Sequence, residues 1–489
     1  MRRTTPLTVA GLLGLALFAP MSPLSAAGET CRGEAATHVG TGPTLIGTEG
    51  RDVIVTGTAS VVNALGGDDL ICVSRSVASP NLLDLDAGSG NDFVDATAPT
   101  TDYSGRITLG PGSDAFTGSA ARGVVYTGAT PDPRDLSVPP GSDTDTDRVD
   151  TWAGADTVVS GSAGAASHDV VALGDDDDAL YLASAELATG ALMAGADGDD
   201  RLRFGTGTGD ATLDQTLGTL TTAAGTATVA SFEAVTVDAG PGTLTYRGSP
   251  GNDSITVHPV VGTPTLDLAT AAGQDQIVVE PATIAAGSTI DGGTGRNKLV
   301  AANRSGSMEI DLEQGRLLVD GRLSTVANLQ DATFYVPEVT MTGNSRGNIL
   351  AFSGCAGVLT GGNGRDQLLN VYDGYFESYV FDCRARTTMS GGAAADRLRG
   401  GQGGDRLFGG NGSDTIEGRG GNDRIRGNAG PDELDGGEGR DDIRGGSGRD
   451  TLVGRPGRDT LVGQGGRDSA DGSEGRDRCV AEREQHCEV

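Results

Sequence analysis

The sequence predicts an all-β fold, a parallel β-solenoid in two parts: a wider right-handed β-helix of about 22 residues per coil, then a roll of 18 residues per coil. Three observations carry this. Glycine occurs 80 times in 489 residues, while the aromatics are only 10 Phe, 8 Tyr and 1 Trp. That is too few large side chains for ordinary globular cores, but a solenoid buries only a thin core between neighbouring coils. Residues 391–480 divide into ten consecutive nine-residue units without a gap. Upstream, worn versions of the same turn recur, mostly 22 residues apart, and no long amphipathic helical pattern interrupts them.

The N-terminus comes first. Arg2 and Arg3 are basic, residues 7–19 are mostly apolar, and Ser25-Ala26-Ala27 offers small residues for cleavage. Residues 1–27 therefore read as a secretory signal peptide, too short and wrongly flanked for a membrane span. No second long apolar run follows, so the mature chain is expected to be secreted and extracellular, with no membrane span. The formal charge is −31, from 67 acidic against 36 basic residues. Such self-repulsion calls for cations and disfavours nucleic acid or anionic membrane as partners. Six cysteines allow 15 connectivities. Proximity favours Cys31–Cys72, Cys355–Cys383 and Cys479–Cys487, which staple the entrance, junction and exit of the array.

Residues 28–350 are assigned to the wide helix. Turns of the G-x-D type place Asp52, Asp69, Asp92, Asp114, Asp156, Asp178, Asp200, Asp253 and Asp275, with Asn297 in the same role. Most are followed closely by an apolar residue such as Val94, Val158, Leu180, Leu202, Ile255, Ile277 or Leu299. Gaps in register near 115–150 and 205–245 mark insertions, the first holding the proline- and aspartate-rich stretch PDPRDLSVPPGSDTDTDR. These turns are not assigned as metal ligands, because consecutive partners are fewer and Asn297 carries no charge. Residues 351–390 read as a junction. One isolated nonapeptide surrounds Asp366, and VYDGYFESYVFDC concentrates five aromatics, read as a disulfide-stapled plug over the change of coil width. A carbohydrate-stacking surface is the alternative.

The roll, residues 391–480, carries an aspartate at the sixth position of every unit: Asp396, Asp405, Asp414, Asp423, Asp432, Asp441, Asp450, Asp459, Asp468 and Asp477. The eighth position is apolar or small, from Leu398 and Leu407 to Ala470 and Cys479. Glycines at positions one, two and four are expected to permit positive φ and a sharp turn. The last three residues form a short strand whose middle side chain points inward. Two units make one coil, so turns 18 residues apart stack at about 4.8 Å and bring Asp405, Asp423 and Asp441 into one column. Such a column repels itself unless a hard divalent cation sits between successive turns and takes oxygen ligands from carboxylates and carbonyls. Five turns per edge leave four gaps, room for up to eight ions. Residues 481–489 form a cap.

The pattern G-G-x-G-x-D-x-U-x, with U apolar, resembles the RTX, or haemolysin-type, calcium-binding repeat. The resemblance implies a β-roll that orders on binding Ca2+, with the ten sixth-position aspartates as side-chain ligands and an affinity of about 10⁻⁴ to 10⁻³ M. It is weaker at Asp396, where Ala394 replaces a glycine, and at Asp468 and Asp477, where the apolar site has shrunk. Many members of the family leave the cell by a C-terminal export signal. Here an N-terminal signal and a cysteine-closed end point instead to folding and stability after export, or to adhesion.

No catalytic residue is assigned. H-E-x-x-H is absent, and the four histidines His38, His168, His258 and His486 are scattered. Gly343-Asn344-Ser345-Arg346-Gly347 matches G-x-S-x-G, but Asn348 stands at the aspartate position of a worn repeat, which makes a turn the better account. A polysaccharide lyase or epimerase is the alternative function, since parallel β-helices host such activities. Lys298 is the only lysine, and an acidic helix repels an acidic polymer. Arginines 440, 449, 458, 467 and 476 beside the aspartates are read as offsetting local acidity. The expected partners are calcium ions and, as a candidate, cell-surface or matrix polysaccharide.

Overall fold

The computed structural model describes residues 30–74, 83–99, 106–128, 145–161, 166–182, 187–371, 381 and 386–488. The signal segment, the proline-rich stretch 131–144, most of the aromatic plug and Cys383 lie outside these. Among the described residues every regular element is a strand, and no helix occurs.

Short strands with alternating burial follow from glycine-punctuated segments whose apolar residues recur every second position. They stack into two parallel sheets along the chain. The first runs from Thr44–Ile46 to Arg483–Gln485, the second from His38–Val39 to Arg478–Val480. The inward side chains of both meet in one continuous apolar core from Leu45 to Ala470. The chain is therefore an all-β parallel solenoid.

In the roll the 18-residue register is strict. Leu398, Ile416, Leu434, Leu452 and Ala470 pair in sequence in the first sheet, and Leu407, Ile425, Ile443, Leu461 and Cys479 in the second. All but Cys479 are fully buried. Each roll strand thus contributes one inward anchor per coil. Leu434 is held between Ile416 and Leu452 by the ladder, so its surroundings cannot collapse onto a void. Leu434→Ala is expected to cost about 2–5 kcal/mol, read from denaturant unfolding in saturating calcium.

The wide coils differ for a simple reason. Val170–Asp175 buries Val171 and Leu173, Arg201–Gly205 buries Leu202 and Phe204, and Ser254–Pro259 buries Ile255 and Val257. A strand can gain residues only in twos without turning its apolar face outward. The four residues that separate the 22-residue coil from the 18-residue one are distributed differently along the chain: Asp147, Asp156, Asp169 and Asp178 stand 9, 13 and 9 residues apart, so there the whole excess follows the first-sheet strand.

Two of the longer coils carry an antiparallel insertion among the described residues. Ala211–Asp214, Thr219–Thr222 and Gly225–Ala230 form an antiparallel meander within the second sheet, inside the gap expected near 205–245. Ser307–Asp311, Arg316–Val319 and Arg322–Ala327 form another. The second meander was not foreseen, because a hairpin alternates apolar and polar residues just as a coil strand does. The 18-residue spacing also begins before the junction expected at 351–390, with Asp331–Tyr335 on Ile349–Ser353 and Glu338–Thr342 on Ala356–Asn363. Cys31–Cys72 and Cys479–Cys487 are disulfides. Cys355 is also disulfide-bonded, and its expected partner Cys383 is outside the described residues.

Candidate metal-binding turns

The ten sixth-position aspartates are buried and stand in two columns, one on each edge of the roll. On one edge the backbone N–H groups of Asp396, Asp414, Asp432 and Asp450 donate to Oδ1 of the aspartate one coil later, at 2.8, 2.9, 3.0 and 3.0 Å. On the other edge Asp405, Asp423, Asp441 and Asp459 do the same at 2.7, 2.8, 2.9 and 2.8 Å. The ladder consumes one carboxylate oxygen of each residue. The other, Oδ2, is buried without a hydrogen-bond partner in every roll aspartate except Asp405, where Gly401 N–H donates to it at 2.7 Å.

Stacked and dehydrated carboxylates are poor anions. Burial pushes Asp423 up to about 8, Asp396, Asp432 and Asp441 to about 7, and Asp459 to about 6. Charged neighbours in the same column push further in that direction, against the ladder N–H groups. Asp405, Asp414 and Asp450 are raised by the same burial.

The first-position glycines show what the turns have room for. A Cβ on Gly400 would lie 2.5 Å from Asp405 Oδ2 and 2.6 Å from the Gly418 carbonyl oxygen of the next coil. On Gly418 it would lie 2.4 Å from Asp423 Oδ2 and 2.3 Å from the Gly436 oxygen, and on Gly436 2.5 Å from Asp441 Oδ2 and 2.9 Å from the Gly454 oxygen. Each missing methyl leaves a spot where a carboxylate and a carbonyl from adjacent coils converge. Carboxylate and carbonyl oxygens are the hard donors that Ca2+ takes, so the donor set of these turns fits that ion.

One expectation about the glycines is corrected. Positions two and four do adopt positive φ, as at Gly410 (119°), Gly412 (138°), Gly437 (94°) and Gly439 (134°). Position one does not, as at Gly400, Gly409 and Gly418. Its glycine is required for space, not for torsion, whereas position two accepts Arg419 at φ 79° and Arg455 at 74°.

The ladder extends beyond the nonapeptides. Asn348 N–H donates to Asp366 Oδ1 at 2.7 Å, and Asp366 N–H to Asp396 Oδ1 at 2.8 Å, so Asp366 belongs to the roll's column. Asn348 occupies an aspartate rung, and a second strand rather than a helix follows Ser345. Further upstream, Asp52, Asp69, Asp92, Asp114, Asp147 and Asp169 form one column before strands of the second sheet. Asp156, Asp178 and Asp200 form another, before strands of the first sheet, and Asp253, Asp275 and Asn297 lie on that same edge. The turns read as one series thus lie on two edges. Asp147 and Asp169 escaped notice because no G-x-D motif announces them; their 22-residue separation was the available signal.

No curated protein matches this chain. The family model of the RTX calcium-binding nonapeptide repeat, which spans four copies, matches residues 390–425, 417–452 and 453–483. These are the coils whose aspartate columns and glycine-lined oxygen pairs fit calcium, and residues 390–483 are a block of RTX calcium-binding nonapeptide repeats.

Proposed function

We propose that this is a secreted calcium-binding protein in which ions between successive turns drive folding of the roll and stabilise it, in a structural or adhesive role. The ten aspartates supply the carboxylate oxygens, and first-position carbonyls of the following coil supply neutral ones. Four gaps on each edge would hold up to eight ions. The observation that carries the reading is the row of buried, partnerless Oδ2 atoms, most of which converge with a carbonyl of the next coil beside a first-position glycine. A fixed buried anion without a counter-charge is costly, and a bound cation removes that cost. The disulfides suit an oxidising compartment, as does the expected signal segment. No described helix is long and apolar enough to cross a membrane.

The test is calorimetric and circular-dichroism titration of the mature chain with calcium, with magnesium as control. Cooperative gain of β-structure with several ions bound is expected. A roll folded in chelator and indifferent to calcium would refute the proposal. Retention on immobilised polysaccharide, with and without calcium, separates an adhesive role from a purely structural one.

A further inference from the structure

The turns of the wide solenoid depart from the roll's pattern in several ways, although most of their aspartates also bury a partnerless Oδ2, and the turn of Asp200 keeps that pattern. Asp52 Oδ2 accepts the N–H of Thr48 at 2.7 Å and its hydroxyl at 3.0 Å. Asp169 Oδ2 accepts the hydroxyls of Ser160 and Thr127 at 2.6 and 2.8 Å. At the turns of Asp156 and Asp275 the first position is a threonine, and its hydroxyl donates to a carbonyl of the next coil: Thr151 to Leu173 and Thr270 to Gly292. Ala64, Ala87 and Leu173 put a Cβ at the first position of the turns of Asp69, Asp92 and Asp178. Asn297 replaces the carboxylate outright, and its Nδ2 donates to the carbonyls of Gly292 and Asn328. The turn of Asp253 has a first-position glycine, but Ser249 donates to Asp253 at 2.9 Å and the buried Tyr246 hydroxyl lies beside it.

Asp200 has none of these. It is fully buried, and its Oδ2 has no hydrogen-bond partner. Its first position is Gly195, where a Cβ would lie 2.3 Å from that Oδ2 and 2.0 Å from the Ser231 carbonyl oxygen of the next coil. The same two kinds of group flank the first-position glycines Gly400, Gly418 and Gly436 of the roll. A second carboxylate adjoins them, because Glu233 Oε2 accepts the N–H of Asp200 at 2.9 Å. Asp177 and Asp199 add negative charge. Burial and these acidic neighbours hold both Asp200 and Glu233 above the usual carboxylate range.

We propose that the wide solenoid carries a calcium site of its own at Asp200, with its Oδ2 and the Ser231 carbonyl, which converge beside Gly195, among the ligands. The proposal rests on the reading that the equivalent oxygen pairs of the roll hold calcium. Hydrogen exchange of the full mature chain, in chelator and in calcium, together with an ion count by equilibrium dialysis, tests both. Wild type should show calcium-dependent protection at 195–203 and 229–235 as well as in the roll. Asp200→Asn should abolish the upstream protection and remove one ion per chain, with roll protection unchanged. That variant should fold, because an asparagine amide can reach the facing carbonyl as Asn297 does. Gly195→Ala should lose the same ion. Protection in the roll with none at 195–203, or an unchanged ion count in Asp200→Asn, would overturn this site alone. Protection at 195–203 with none in the roll would keep the site and overturn the reading of the roll; protection in neither would overturn both.

Discussion

Gly418→Ala is expected to lose at least one bound calcium and to disorder the coils on both sides of it. The added methyl would sit 2.3 Å from the Gly436 carbonyl oxygen and 2.4 Å from Asp423 Oδ2. One of these is backbone, fixed by the next coil's ladder, so no rotamer change relieves the contact. The methyl would also push apart the two oxygens assigned to the cation. Because an ion between turns bridges two coils, and each coil touches only its neighbours, the loss should propagate along the stack. The matched control is Gly465→Ala, at the third position, where the nearest atom to an added Cβ is 3.6 Å away. Ion counting and calcium-dependent circular dichroism of the two variants provide the comparison. Equal behaviour of both would show that the oxygens beside the first position are not ligands of the ion.

Without calcium, the roll should become less stable as pH rises, the reverse of ordinary acid denaturation. The carboxyls of Asp396, Asp423, Asp432, Asp441 and Asp459 titrate between about 6 and about 8 in the fold, against 3.8 for an unperturbed aspartate. Between those limits the folded chain holds more protons than the unfolded one, so its stability declines with increasing pH. The proton then serves as the counter-charge. Metal-free roll should therefore melt higher near pH 5 than near pH 8, about the value for Asp423. Calcium should reverse the order, because it competes with protons for the same oxygens and binds less well in acid. Melting followed by circular dichroism in metal-free and calcium-containing buffers reads both trends. A metal-free melting temperature that climbs with pH would sink the idea.

The roll was legible because three constraints act on every nine residues: an inward side chain, a left-handed turn and a ladder acceptor. Each leaves a residue type at a fixed position, and Asp405 to Asp459 satisfy all three. The coil length upstream was legible for the same reason. Which edge a turn occupies was not, because an aspartate before a strand of one sheet looks like an aspartate before a strand of the other. Hence Asp114 and Asp156 read as successive members of one series though they stand on different edges. The meander at 307–327 was hidden because its alternation matches a coil strand; the trace it leaves is Gln330 taking a rung 33 residues after Asn297. The role of the first-position glycine was invisible as well. Composition shows that glycine is needed, but only the facing oxygens show that the need is for volume.

Elsewhere the two sheets advance together, one strand per coil, but at the meanders they do not. From Leu192–Asp197 to Thr243–Arg247 the second sheet has three intervening strands, while from Arg201–Gly205 to Ser254–Pro259 the first has one, Ala234–Ala239. The same imbalance recurs between Thr289–Asp291 and Glu338–Thr342. At about 4.8 Å per strand, each meander makes one face of the rod longer than the other by roughly 10 Å. Both surpluses fall in the second sheet, so they add instead of cancelling, and a rod with one longer face is expected to curve toward the other.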